Sequence, residues 1–530
     1  MVICAHHAGL PGSAGVVNGT ALLLESKFFI DNTVFIMNTL VLIIGVGPVG
    51  STLALDLARR GVPVRLIDRA SGPFPGSRAK GLQPRTLEIF ADLGILDEVL
   101  AGAAPAYPKT GIHLGPLTVP WTMFAKKPRT DATPYPNPAL SPQFNTDAVL
   151  HNALAAAGIA VEYNREVTGV QQDAQGVSTT LADGGTVRSS YVVGADGGSS
   201  TVRKSAGITF TGKTDEEDRM VIADVPIPGL RRDRWHIWPG GAGRFLAACP
   251  LPGSPLFQVM LRLPRAARID NDPEALKAAV RGALARRRLT AGEFGWVSLF
   301  RPNVRLADSY RKGRIFLAGD AAHTHTPAGG QGLNTGVQDA YNLGWKLGQV
   351  VAGAPEQLLD TYESERRPIA AAVLKLSTER YENIDGNKRG ALARGEEERQ
   401  LSLNYRGGPL AFSGPSAPLG QLQAGDRLPD ARDTAGNRVF DLLAGPGFGL
   451  LAIGTPAAAA ALGFGATAGA GLRAIDLPAG TYGATEPMLV LVRPDGYLAA
   501  VAAADRPEPI TRALAHFTAK PDIPTYPGWR

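Results

Sequence analysis

The run Leu40–Gly45 is continuously apolar and passes straight into the pattern Gly45-x-Gly47-x-x-Gly50. An apolar strand that ends on glycines at this spacing has few options. It suits a central parallel strand buried on both faces. A helix from about Pro48 to Arg60 follows, Gly61 closes it, and Pro63–Asp68 reads as a second strand. Together these form a βαβ unit. Gly45 permits the tight turn, Gly47 lets the backbone approach a pyrophosphate, and Gly50 allows close packing of helix on strand. Asp68 stands eighteen positions after Gly50, where a carboxylate can accept hydrogen bonds from a ribose. Taken alone, the pattern specifies a dinucleotide and does not choose between a flavin and a nicotinamide.

Two further motifs lie downstream. An apolar strand over Ser190–Gly194 leads into Gly194-Ala195-Asp196-Gly197-Gly198-Ser199-Ser200-Thr201-Val202-Arg203. The Asp196–Gly197 pair is an ordinary β-turn signal, and it also suits a carboxylate that orients groups around a pyrophosphate. A strand over Arg314–Ala318 then ends in Gly319-Asp320-Ala321-Ala322-His323. The chain continues through Pro327-Ala328-Gly329-Gly330-Gln331-Gly332-Leu333-Asn334 into a long helix. Asp320 stands at the carboxyl end of a strand, where ligands bind in open α/β sheets. The amides at the helix start suit a developing negative charge, such as that of a reduced flavin at its N1–C2=O edge.

The 530 residues are too many for one core, so several domains are expected. Thr146–Gly158 reads as a helix and Ile159–Val187 as strands with turns. Across 209–300 the texture changes. Strand-like runs Arg234–Trp238, Phe245–Cys249 and Leu256–Leu263 surround a helix over Pro273–Arg287. This is the pattern of an inserted antiparallel sheet that covers a ligand. Residues 101–142 are proline-rich and read as irregular or sheet-like. Beyond Tyr405 the chain is rich in Ala, Gly and Pro, and Met488–Val492, Arg493-Pro494-Asp495-Gly496 and Tyr497–Ala502 form a hairpin pattern.

The three motifs, in this order, resemble the class A flavoprotein monooxygenases, the family of p-hydroxybenzoate and phenol hydroxylases. Arg311–Pro368 is especially similar to the aromatic hydroxylases of antibiotic pathways and to pentachlorophenol and phenylpropionate hydroxylases. The resemblance covers about residues 38–380. It implies an α/β fold: a Rossmann-like FAD-binding domain, discontinuous over 37–208 and 301–400, with an inserted antiparallel β-sheet substrate domain over 209–300. It also implies a thioredoxin-like C-terminal domain over 405–530. Residue by residue, it implies that Gly45, Gly47 and Gly50 hold the FAD pyrophosphate and that Asp68, where the family usually has Glu, binds the adenosine ribose. Arg78 would lie near the phosphates, Gln143 on the ribityl side, Asp196 in the pyrophosphate region, and Gly319 and Asp320 at the ribityl chain. The loop glycines Gly330 and Gly332 and the amides of Leu333 and Asn334 would meet the flavin ring. The Pro327 carbonyl would lie near the oxygen-bearing face.

The implied activity is hydroxylation of a phenolic or polyketide-like aromatic with NAD(P)H and O2, through a flavin C4a-hydroperoxide. NAD(P)H would bind transiently, and no catalytic base is assigned. Baeyer–Villiger oxidation or epoxidation on the same fold, or a flavin-dependent reductase or dehydrogenase, are the alternatives. The C-terminal domain contains no cysteine, which excludes thiol redox chemistry. Packing or homodimer contact is its default role.

Composition narrows the remaining classes. Hydrophobic content of 44% and charged content of 19% are ordinary for a globular chain. A net charge of +6 is mild, and clusters such as Arg286-Arg287-Arg288 read as a solvated helix face rather than a nucleic-acid patch. Cys4 and Cys249 are the two cysteines, too few for a disulfide framework or a zinc cluster. They point to a reducing compartment, the cytoplasm. His323 and His325 have no clear third ligand, so no metal is expected. Trp235, His236 and Trp238 read either as an aromatic wall for a planar substrate or as sheet core. No Lys or Arg precedes Lys27, and Val34–Val46 is too short to span a bilayer. Met37 reads as the true start, with residues 1–36 a spurious or disordered extension.

Overall fold

A computed structural model of the chain describes residues 27–30, 33–36, 39–104, 107–241, 244–265, 267–326, 329–385, 394–413, 419–457 and 471–517. Cys4, Met37 and Pro327, each singled out in the sequence, lie outside the described residues. Within the expected N-terminal extension, Lys27–Ile30 pairs with Thr33–Ile36 as a small hairpin.

The chain is organised around a six-stranded sheet. Its order is Arg311–Lys312, Ile315–Leu317, Tyr191–Gly194, Val41–Ile44, Val64–Ile67, Val161–Glu162. The last five strands run parallel. The apolar run Leu40–Gly45 lies near the middle, with Val41, Leu42 and Ile43 fully buried. The helix Pro48–Ala58 follows and packs on the long helix Gly332–Val351. Strands separated by more than a hundred residues thus bring the three glycine motifs to one edge, the carboxyl end of a parallel sheet.

The second large sheet has seven strands, in the order Trp296–Phe300, Met220–Pro226, Leu256–Arg262, Phe245–Pro250, Arg234–Pro239, Lys109–Leu114, Leu117–Trp121. It is larger than the span read from the sequence. Lys109–Leu114 joins in parallel to Arg234–Pro239, and Leu117–Trp121 completes the edge. Lys109–Leu114 carries Lys and Gly, and the edge strand Leu117–Trp121 carries Pro, and that chemistry hid them. Phe210–Thr214 pairs instead with Asn303–Ala307 in a separate three-stranded sheet.

Period-2 alternation gives the seven-stranded sheet two faces. Val221, Ala223, Leu246, Ala248, Phe257 and Val259 pack with the helix Pro273–Ala285. Asp224, Cys249, Gln258 and Met260 occupy the opposite face, towards the first domain.

The C-terminal residues form a four-stranded sheet in the order Leu472–Leu477, Phe448–Ile453, Met488–Val492, Leu498–Ala503. Its first pair is parallel and the others antiparallel, and the helix Glu508–Phe517 follows. The expected hairpin is present, but its turn is buried rather than exposed. Arg493 and Asp495 are each about 2% exposed. They sit against the long helix, where Trp345 meets Phe448 and Phe517 edge-on. Among the described residues no helix is long and apolar enough to cross a membrane.

Candidate functional site

The first glycine loop is tied to the second motif by close backbone approach. Gly45 has φ +110°, and a Cβ there would sit 2.3 Å from the Ala195 carbonyl oxygen. A Cβ on Gly50 would sit 1.9 Å from the Gly45 carbonyl oxygen. Gly47 differs, because a Cβ there would meet nothing within 4 Å. It is the N-cap of Pro48–Ala58 and supplies no side-chain cap. The helix therefore presents amides to open space, which is what an anionic pyrophosphate requires. The Asp68 carboxylate closes the loop from the next strand, accepting from the amides of Val46 at 2.9 Å and Ala70 at 2.8 Å.

In the second motif, Asp196 has two functions. Its Oδ2 accepts from the amides of Thr201 and Val202, capping the short helix Thr201–Ser205, while its buried Oδ1 has no partner. The turn signal in the sequence is thus real, and one oxygen remains free for a ligand.

The third motif is held from below. Gly319 has φ +62° and donates its amide to Asp339 Oδ2 at 3.1 Å. His323 Nε2 lies 2.6 Å from the same oxygen, and Arg366 Nε donates to Asp339 Oδ1 at 2.8 Å. All three side chains are buried, and His323 and Arg366 together hold the Asp339 carboxyl below its usual range against the opposing effect of burial. His323 is therefore a structural partner of Asp339. His325 is different. Its ring abuts Gly332 at the start of the long helix, and its buried Nε2 has no partner. Among the described residues no group of three His, Cys, Asp or Glu side chains could hold a metal ion.

Asp320 itself is exposed at the sheet edge, beside the uncapped start of the helix Gly332–Val351. Gly330 is exposed, and Gly332 and Leu333 are half-buried. The Asn334 side chain is fully used. It accepts from the Gln83 amide and the Thr86 hydroxyl, both at 2.7 Å, and donates to the carbonyls of Gly81 at 2.9 Å and Gly330 at 2.8 Å. This clamp fixes the glycine loop against the 81–86 segment and leaves the Asn334 backbone, not its side chain, for a ligand.

Gln143 joins the remaining expected residues. Its Oε1 accepts from the Ala79 amide at 3.2 Å, and its Nε2 donates to Asp147 Oδ2 at 3.3 Å. Arg78 is exposed, with its guanidinium 5.2 Å from the centre of the Phe74 ring. Asp147 escaped sequence reasoning. It is buried, its Oδ1 has no partner, and burial pushes its carboxyl up to about 7. An acid four residues after Gln143 on one helix face was the available signal.

The seam between the first domain and the large sheet also escaped the sequence. Ser77 donates its amide at 2.6 Å and its hydroxyl at 2.5 Å to the buried Asp224 carboxylate. Gln258 Nε2 donates to Ser77 Oγ at 2.9 Å, and Lys80 Nζ donates to Gln258 Oε1. The three aromatic-wall candidates divide between the two faces. Trp235 lies at the seam, with the Lys80 ammonium 4.6 Å from its ring centre. His236 and Trp238 belong to the other side, where they stack with His113.

The residues present fit FAD. The cradle at Gly47, the exposed Asp320 and the unpartnered buried atoms of Asp147, Asp196 and His325 converge on one edge of the parallel sheet. The comparisons with known proteins agree. An FAD binding domain model matches residues 38–377. A flavin-dependent monooxygenase of Mycobacteroides abscessus is 42% identical over 468 residues, which is 86% of this chain and 96% of that one. Pentachlorophenol 4-monooxygenase of Sphingobium chlorophenolicum is 33% identical over 429 residues, 76% of this chain and 78% of that one. The solved structure of an anhydrotetracycline hydroxylase from Streptomyces rimosus superposes with a TM-score of 0.71 at 31% identity, covering 91% of this chain and 99% of that one. The chain belongs to the FAD-binding domain family. Within it, the chain is an FAD-dependent monooxygenase of the aromatic hydroxylase type.

Proposed function

We propose that the chain hydroxylates a phenolic or polyketide-like aromatic, with NAD(P)H as transient reductant and O2 as oxygen donor, in the seam between the FAD loops and the large sheet. The observation that carries this reading is the chemistry of the seam. Trp235 and Met260 offer apolar and aromatic surface, and Lys80 and Gln258 offer a small polar set, opposite the edge that bears the FAD motifs. Apolar walls with a few convergent polar groups are the usual form of a site for a small aromatic molecule.

Gly45, Gly47 and the start of Pro48–Ala58 would hold the FAD pyrophosphate, with Asp68 at the ribose. Asp320, Gln143 and Arg78 would serve the ribityl–phosphate side. The amides at Gly332, Leu333 and Asn334 would meet the ring. When bound, FAD would supply the redox chemistry that couples NAD(P)H oxidation to activation of O2. The protein orients the substrate against the sheet face, and the sheet with its helix Pro273–Ala285 excludes water. The positive end of the long helix favours negative charge at the cofactor edge.

The same reading divides the chain into an FAD-binding domain over 37–208 and 301–400, a substrate sheet over 209–300 joined by the 109–121 strands, and a thioredoxin-like unit over 405–530. The C-terminal sheet order, with one parallel pair followed by an antiparallel hairpin and a helix, supports the last assignment. With both cysteines outside that unit, it serves packing rather than thiol chemistry. The scarcity of cysteine supports a cytoplasmic location.

The test is a screen of phenols and fused-ring polyketide-like aromatics with the FAD-loaded protein, run with NADH and with NADPH. The expected result is oxidation of reduced nicotinamide and O2 uptake that rise together when a substrate is added. Uptake indifferent to every aromatic compound would contradict the proposal.

A further inference from the structure

Lys80 is a cation at the seam that the FAD motifs do not use. It follows Arg78 and Ala79, and its backbone carbonyl accepts from the Ser141 amide, which fixes the main chain in the first domain. Its side chain crosses to the sheet. Nζ donates to Gln258 Oε1, lies 4.0 Å from Met260 Sδ and sits over the Trp235 ring. Burial in this crevice lowers its ammonium pKa below the ordinary lysine value, partly opposed by Cys249 and Asp224.

Neither of those groups forms an ion pair with Nζ, and Asp224 acts on it only through space. Asp224 spends both carboxylate oxygens on Ser77. The buried Cys249 thiol is pushed up to about 12 and stays protonated. Tyr107, which stacks near Trp235 and faces Arg394, has its phenol raised further by burial. Among the described residues no carboxylate pairs with Lys80. A buried cation whose neighbours are an amide oxygen, a thioether and a ring is stabilised by much less than an ion pair would supply. An ammonium has three N–H groups, and a single oxygen acceptor, Gln258 Oε1, is within hydrogen-bond distance among the described residues.

We infer that Lys80 is a specificity-determining residue, whose ammonium binds the ionised oxygen of a phenolic or enolic substrate against the sheet face. The inference rests on the proposed aromatic hydroxylation. A phenol that is neutral in solution releases its O–H proton to water on binding, and the ammonium keeps its own proton, giving the same ammonium–phenolate pair. Ionisation of the oxygen enriches the ring in electrons, and the contact also fixes which carbon faces the cofactor edge.

The test uses FAD-loaded wild-type protein, Lys80→Met and Lys80→Arg. The probes are phenol, 2,4-dichlorophenol and pentachlorophenol, each beside its methyl ether, with binding read from the change in flavin absorbance. Wild-type protein is expected to prefer the phenols over their ethers at least tenfold, with a preference that grows with pH as each phenol ionises. In Lys80→Met the preference should shrink to within twofold and lose its pH dependence, while ether affinity, FAD content and melting temperature hold. Lys80→Arg should restore much of the preference. An undiminished tenfold preference in Lys80→Met would overturn the inference, as would a parallel loss of ether and phenol binding, which marks a structural role. Failure of the underlying functional reading looks different, because there no phenol would perturb the wild-type flavin at all.

Discussion

The two ends of one helix, Gly332–Val351, are surrounded by polar groups arranged on opposite principles. Near its start, the groups at the sheet edge are left incomplete. Asp147 Oδ1, Asp196 Oδ1 and His325 Nε2 are buried without partners, Asp320 is exposed, and nearby Lys80 makes no ion pair with a described residue. Along its second half, the charges are completely matched. Arg493 donates to Glu365 at 2.6 and 2.9 Å and to Asp495 at 2.9 and 2.6 Å. Lys346 reaches Glu365 at 2.7 Å, and Asn342 bonds both Glu365 and Asp495. The partners hold the Glu365 carboxyl at about 2 in spite of burial, and burial brings Lys346 down to about 8. Buried charge that is fully paired belongs to the fold, and buried charge left short of partners marks where a ligand completes the set.

The largest expected effect would break the matched end. Arg493→Met leaves Glu365 and Asp495 short of their main cation, so urea unfolding should lose about 3–5 kcal/mol. A loss under about 1 kcal/mol would mean that the pairing is not what secures the C-terminal sheet. Two changes sharpen the incomplete end. Gly47 has φ −67° and open space at its Cβ position, so Gly47→Val should leave apo-protein stability within about 0.5 kcal/mol. The same change should weaken FAD binding at least tenfold, about 1.4 kcal/mol, by filling the cradle. Asp320→Ala should likewise lower flavin content while the apo-protein melts as before. Unchanged flavin retention in both variants would contradict the assigned site.

The smallest effect concerns Asp147. Burial raises its folded carboxyl from 3.8 to about 7. Between those values the folded apo-protein keeps a proton that the unfolded chain has released, so stability falls as pH rises through that window. Above pH 7 both states are ionised and the full cost remains. Asp147→Asn should therefore raise the melting temperature of the apo-protein at pH 8, and the gain should vanish below about pH 4. A gain independent of pH would place the cost elsewhere.

Much of the incomplete end was legible in the sequence, and little of the matched end was. The glycine motifs carry local demands, a tight turn, a helix start and a strand end, so the pattern named the residues that meet at the sheet edge. The structure adds how they meet. Gly45 touches Ala195, and a Cβ at Gly319 would sit 2.8 Å from the Val49 side chain. Arg493-Pro494-Asp495-Gly496 read as a turn, correctly, but a turn signal says nothing of burial. Its partner Glu365 is 128 residues away and carries no pattern of its own. The Lys80–Gln258 contact has the same character, since it joins residues 178 positions apart through the register of the seven-stranded sheet.

The central claim is that the incomplete end completes an oxygen-inserting flavin site. The most direct measurement is the mass of the product formed by FAD-loaded protein under 18O2 in ordinary water, with an aromatic compound from the screen. One 18O atom per product molecule is expected, with no label when 16O2 and 18O-labelled water are used instead. Turnover that consumes reduced nicotinamide and alters the substrate without incorporating 18O from O2 would contradict the account and mark the protein as a flavin reductase or dehydrogenase.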